Sequence, residues 1–199
     1  MAKKKDIVIE QGKTFTLPCR WEGKPILYKP ITGISKTAPV VISSANHGIP
    51  PGWRVAIVSV KGMTQINAEN NPPKDADYYP ATVVSNDSIS LNDVNAAGFS
   101  TYTSDGYIQL NTPIDLTGYT ARMTVRGKVG GTELFSLTTE NSRIVVDPVN
   151  FKITLVITAT ETAAFTWTKG VYDLEVVSAS GVVTALMAGS ITVSKEITT

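Results

Sequence analysis

Cysteine and histidine are almost missing from this chain of 199 residues, Cys19 and His47 occurring once each. A single cysteine excludes an intrachain disulfide, and nothing in the sequence points to an oxidising compartment. One histidine and one cysteine cannot build a zinc-type cluster. Long apolar runs are also lacking, the longest being strand-like pieces such as "PVVI", so no membrane partner is expected. The opening "MAKKKDIVIEQGKTF" has three lysines but no apolar run behind them, and a soluble protein made in a cytosol is the expectation. Charge of one sign is scarce as well. The net charge is +1, and beyond Lys3, Lys4 and Lys5 the basic residues are scattered singly. That is no footprint for a phosphate backbone, so no nucleic-acid partner is expected, and the lysine triplet reads as a solvated terminus.

What is abundant is alternation with a period of two, in threonine- and valine-rich text that fits a half-buried pleated surface. In "TFTLPCRW" the residues Phe15, Leu17, Cys19 and Trp21 fall on one face, and Pro18 suggests an edge strand because it cannot donate to a ladder. "GYTARMTVRG" alternates Tyr119, Ala121, Met123 and Val125 with Thr120, Arg122, Thr124 and Arg126. "FKITLVIT" and "VYDLEVVS" repeat the pattern, and "VVTALMAG" and "SITVSKEIT" are the last strand candidates. Turn signals at "KVGGT", "DPVN" and "ASG" separate them at the spacing of antiparallel hairpins. One short helix is expected at "TATETAAFTW", where Thr158 and Glu161 have capping-box spacing.

Residues 33–110 are richer in Asn, Ser, Gly and Pro, with short strand-like pieces "PVVIS", "RVAIVSV", "YPATVV" and "SISL". The expected organisation is therefore nested. Residues 1–32 and 111–199 form one β-sandwich, and residues 33–110 form a second small β module inserted in one of its loops, which loop-closure entropy tolerates.

The candidate chemistry is thin. "EQGKTF" ends like a phosphate-binding loop, but Ile7 stands where the motif needs glycine and an alternating strand follows instead of a helix. "GKVGG" reads as a hairpin loop. Asp75 and Asp77 have no glycine turn or distal glutamate for a calcium loop. Cys19 lies on an apolar face, which makes it a small buried hydrophobe and not a nucleophile awaiting His47. "NDS" at Asn86 reads as a turn. No catalytic residue, cofactor or metal is expected. Aromatics in loop-like text, namely Trp53, Tyr78, Tyr79, Phe99, Tyr102 and Tyr107, either anchor an interface or fill the small core of the inserted module. The interface candidates are Trp53, Tyr78, Tyr79, Phe99 and Tyr102.

Two sets of stretches resemble families found in bacteriophage particles. "VIEQGKTFTLPCRWEGKP", "TPIDLTGYTARMTVRGK" and "ITLVITATETAAFTWTKGVYDLEVVSASGVVTALMAGSITVSKEIT" look like the immunoglobulin-like N-terminal domain of phage baseplate upper proteins and related tail proteins. The inserted "VVISSANHGIPPGWRVAIVSVKGMTQIN" with "GFSTYTSDGYI" is similar to a small β module of phage tail and neck proteins, distantly likened to a half-domain of ubiquitin-activating enzymes. In that pattern His47 and Gly48 form a turn, and Gly62, Met63, Ile66 and Asn67 a loop. No cysteine lies in the insert.

The resemblance implies an all-β fold, an immunoglobulin-like antiparallel β-sandwich carrying the inserted module. It also implies a non-enzymatic virion component of tail, baseplate or neck, assembled in the host cytoplasm. Its expected partners are other tail, neck or fibre proteins and further copies of itself in a symmetric homo-oligomer. The text ends at Thr199 directly after the last expected strand, which suggests a self-contained adaptor. The alternatives are a carbohydrate-binding or host-recognition module, a capsid decoration protein and, weakest, a hydrolase with paired carboxylates.

Overall fold

The computed structural model describes residues 2–196. Along the chain the strands are β1 (Lys3–Lys4), β2 (Ile7–Glu10), β3 (Phe15–Cys19), β4 (Glu22–Pro30), β5 (Gly33–Ile34), β6 (Val40–Ser43), β7 (Arg54–Val58), β8 (Tyr79–Ser85), β9 (Ser88–Leu91) and β10 (Tyr107–Pro113). They continue with β11 (Thr120–Arg126), β12 (Glu133–Thr138), β13 (Ile144–Asp147), β14 (Lys152–Ile157), β15 (Lys169–Val177) and β16 (Val183–Ser194). A short helix, α1 (Ala159–Ala163), precedes β15, and single 3₁₀ turns occupy Thr64–Ile66 and Asp75–Asp77. Residues 197–198, the end of the "SITVSKEIT" candidate, lie outside the described residues.

The chain divides into two compact units, one formed up to Trp21 and from Asp115 onward, the other by Glu22–Ile114. The inner unit takes in residues 22–32 and 111–114, which the sequence suggested for the sandwich. The cause is pairing: β4 lies antiparallel to β10 from Glu22 opposite Pro113 to Pro30 opposite Tyr107.

The outer unit is a sandwich. One sheet runs β1-β16-β15-β11-β12 with β2 also on β16, and the other runs β13-β14-β3. Lettered along the unit as A (β1, β2), B, C, C′, D, E, F and G, the sheets read A-G-F-C-C′ and D-E-B. That is an immunoglobulin-type order. The alternation explains the packing: Ala121, Met123 and Val125 of β11 point inward with Leu174 and Val176 of β15, against Ile153, Leu155 and Ile157 of β14. Pro18 sits on an edge, since β3 pairs only with β14. The two final strand candidates are one strand. Gly189 in its middle is not a turn; it is where the backbone of Lys5 comes so close that a Cβ would lie 2.1 Å from the Lys5 carbonyl oxygen.

The inner unit is one sheet in the order β4-β10-β7-β8-β9-β6-β5, every pair antiparallel. Its two terminal strands are successive pieces of one stretch of chain. Between them the Ile31 amide donates to the Gly106 carbonyl (3.0 Å) and the Thr32 amide to the Ser43 carbonyl (2.9 Å). The sheet thus closes on itself as a small barrel at this junction, while β4 from Glu22 to Pro30 has β10 as its strand partner on one side. Ile42, Trp53, Val55, Ile57, Ile89, Leu91, Ile108 and Leu110 are all buried within this unit.

Candidate functional site

The sequence-proposed interface aromatics have structural employment. Trp53 is the clearest correction: it is fully buried, and its indole Nε1 donates to the Asn111 carbonyl at 3.0 Å, so the ring offers no surface to a partner. Tyr78 is half-buried, with the Arg54 guanidinium 4.8 Å from its ring centroid and its hydroxyl accepting from Gln109 Nε2 at 2.8 Å. Tyr102 is half-buried too, its hydroxyl lying 3.0 Å from the Ile31 carbonyl oxygen and 3.1 Å from that of Asp105. Tyr79, on β8 opposite Val55, and Phe99 are also half-buried.

The most exposed aromatics of the barrel are Tyr28 (53%) and Tyr107 (44%). In register Tyr28 stands opposite Gln109, and Tyr107 opposite both Pro30 and Val58. Ile108 and Leu110, which alternate with Tyr107 and Gln109 on β10, point into the core, so Tyr107 and Tyr28, the latter opposite Gln109, share the outward face. Their rings meet edge to face, centroids 6.1 Å apart. Sequence reading missed Tyr28 because "PILYKP" does not alternate and is framed by prolines; only the pairing with β10 puts it beside Tyr107.

Next to this face lies a polar network within the barrel. Arg54 makes a two-pronged pair with Glu22 (2.5 and 2.7 Å) and a third bond to Asp75 (2.8 Å), while Asn111 Nδ2 donates to the same Glu22 (2.7 Å). The hydrogen bonds that Arg54 donates to Glu22 push its pKa further up, so the side chain is a permanent cation. Asp77 goes elsewhere. It accepts from the Lys74 and Glu69 amides and from Asn70 Nδ2, and these bonds, that from Lys74 foremost, hold its pKa below the usual carboxylate value. Asp75 and Asp77 therefore serve different partners. Among the described residues no three His, Cys, Asp or Glu side chains gather as metal ligands.

His47 is the turn residue its neighbours suggested, flanked by Asn46 and Gly48 at φ 46° and 60°. It is also buried, at 2% exposure. The Ile49 amide donates to Nδ1 (2.9 Å), which leaves the hydrogen on Nε2 to donate to the Ser85 carbonyl (2.9 Å). Both nitrogens are committed, Nδ1 to the backbone of its own turn and Nε2 to tying that turn to β8. Burial pushes the Cys19 thiol up, the opposite of what a thiolate nucleophile needs.

No protein family matches this chain, and no curated protein matches it. The site is thus defined by its geometry alone. It offers two adjoining exposed phenol rings on a strand pair, bordered by an ion-pair network, and this arrangement suits contact with another surface.

Proposed function

We propose that this chain is a non-enzymatic structural component of a bacteriophage virion, an adaptor of tail, baseplate or neck that joins tail proteins or anchors fibres. One observation carries the reading. The stretches that resemble the baseplate-type domain lie almost wholly on the sandwich, and those that resemble the tail and neck module all lie on the barrel. The sandwich serves as platform, and the barrel presents Tyr28 and Tyr107. The committed nitrogens of His47, the raised thiol of Cys19 and the separately engaged Asp75 and Asp77 support a non-catalytic role.

Immunogold electron microscopy of particles from the source lysate tests this. Gold confined to tail or neck is the expected result. Gold over the head moves the protein to capsid decoration. Absence from particles, with the epitope shown accessible in denatured virions, overturns the reading. A second reading, a carbohydrate-binding or host-recognition module, is favoured by the Tyr28–Tyr107 pair, since exposed phenol faces stack on sugar rings. A glycan array on the purified protein separates the two.

A further inference from the structure

The outward face of the larger sandwich sheet segregates its charges by strand. On β11 the outward residues are Arg122, Thr124 and Arg126; on β15 they are Val171, Asp173 and Glu175. Across the ladder Arg122 faces Glu175, Thr124 faces Asp173 and Arg126 faces Val171. A basic ridge thus runs beside an acidic one. Arg122 is paired with Glu175 at 2.8 Å and Arg126 lies 3.9 Å from Glu133, whereas exposed Asp173 has no ion pair among the described residues. Beside Arg122, Thr124, Asp173 and Glu175 the flanking positions are small, Ser136 and Thr138 on β12 and Ala185 and Ala188 on β16, and Glu133 of β12 flanks Arg126. Between the ridges lies a shallow polar depression of about 190 Å³, lined by the two arginines, Thr124, Asp173 and Glu175.

We propose that this face pairs with the same face of a second copy, about a two-fold axis parallel to the strands and running between β11 and β15. Such an axis exchanges the two ridges. Arg122 then meets Glu175 of the second copy, Thr124 meets its Asp173, and Arg126 lies diagonally from that same Asp173. Ser136 meets Ala188 and Thr138 meets Ala185, which lets the sheets approach at the Arg122 end, while Glu133 meets Ser190 and the Val129–Gly130 turn borders the contact at the Arg126 end. Arginine side chains from both copies fill the depression. The partner is a second copy because the charge pattern complements itself under one rotation, as an isologous contact requires. Four strands give a contact at the small end of specific interfaces, so the dimer is weak and salt-sensitive. This inference is independent of the virion reading.

Sedimentation equilibrium on the full chain tests it. The expected result is a reversible dimer that dissociates as salt rises. Asp173→Lys, which puts a cation where the second copy presents Thr124 between two arginines, weakens dimerisation at least about tenfold. Exchanging the pair, Arg122→Glu with Glu175→Arg, preserves the complementarity and the dimer. Ala185→Arg, at an exposed position, disrupts the contact by bulk and serves as the second probe should the lysine variant lose its circular dichroism spectrum. A wild type that stays monomeric up to about 0.5 mM overturns the proposal. So does a dimer that neither Asp173→Lys nor Ala185→Arg weakens.

Discussion

Tyr172 points inward from β15, and its hydroxyl donates to the Lys5 carbonyl at 2.6 Å, tying the N-terminal strands to the sandwich. Burial, helped by the nearby Cys19 and Asp6, raises its pKa from 10.0 to about 12. An unfolded tyrosine ionises near 10, so the native state holds its proton while the unfolded state loses it. The stabilisation is complete below about pH 10 and is lost as pH rises toward 12, by roughly 2 kcal/mol. Urea unfolding at about pH 8.5 and about pH 11 should therefore show a marked loss in the wild type and a smaller one in Tyr172→Phe, which starts about 1 kcal/mol less stable for want of its hydrogen bond. Equal losses in both proteins would place the alkaline sensitivity elsewhere. The hydroxyl's partner could not be read from the sequence, because Lys5 lies 167 residues away along the chain. His47 was half legible: its turn followed from Asn46 and Gly48, but its burial depends on Ser85, which the β8–β9 hairpin brings to it.

Elements were legible where local chemistry decides them. Helix α1 begins as its sequence spacing indicates. The Glu161 amide donates to Thr158 Oγ1 at 3.3 Å, and the Thr158 amide donates back to Glu161 Oε2 at 2.8 Å. Arg143 adds a 2.7 Å bond to the other carboxylate oxygen. Thr158→Ala removes the cap and should lower stability by about 1 kcal/mol, with Thr158→Ser recovering most of it. Chemical denaturation of the three proteins checks this, and an unchanged midpoint in Thr158→Ala would mean that packing alone holds the helix. Strand β4 shows the opposite case. "EGKPILYKP" neither alternates nor excludes proline, yet it forms a strand because β10 supplies a complete partner. A ladder made by residues some 85 positions away leaves no local signature.

At the scale of the molecule, the insertion is possible because the barrel's two chain ends lie side by side. Glu22, where it begins, pairs in register with Pro113, one residue from its end. Closure also gives the barrel a core of its own, which independent folding requires. Residues 22–114 expressed alone should give a dispersed amide spectrum and a cooperative thermal transition. A collapsed spectrum would show that the barrel folds only within its host. Edge-mediated association has β1 with β2, β12, β13 and β3 available on the sandwich and one side of β4 on the barrel.

By itself the sequence determined the class and periodicity: all β, with β11, β14 and β15 alternating in the phase that the core adopts, Pro18 on an edge, and a capped helix before β15. Those features depend on residues a few positions apart, so they are written locally. The tertiary structure alone decided that residues 22–32 belong to the barrel, that the barrel closes, that Trp53 is core, and that Tyr28 and Tyr107 share an exposed face. Each of these depends on strand pairing between distant segments, where register is fixed by the partner and not by the strand's own residues.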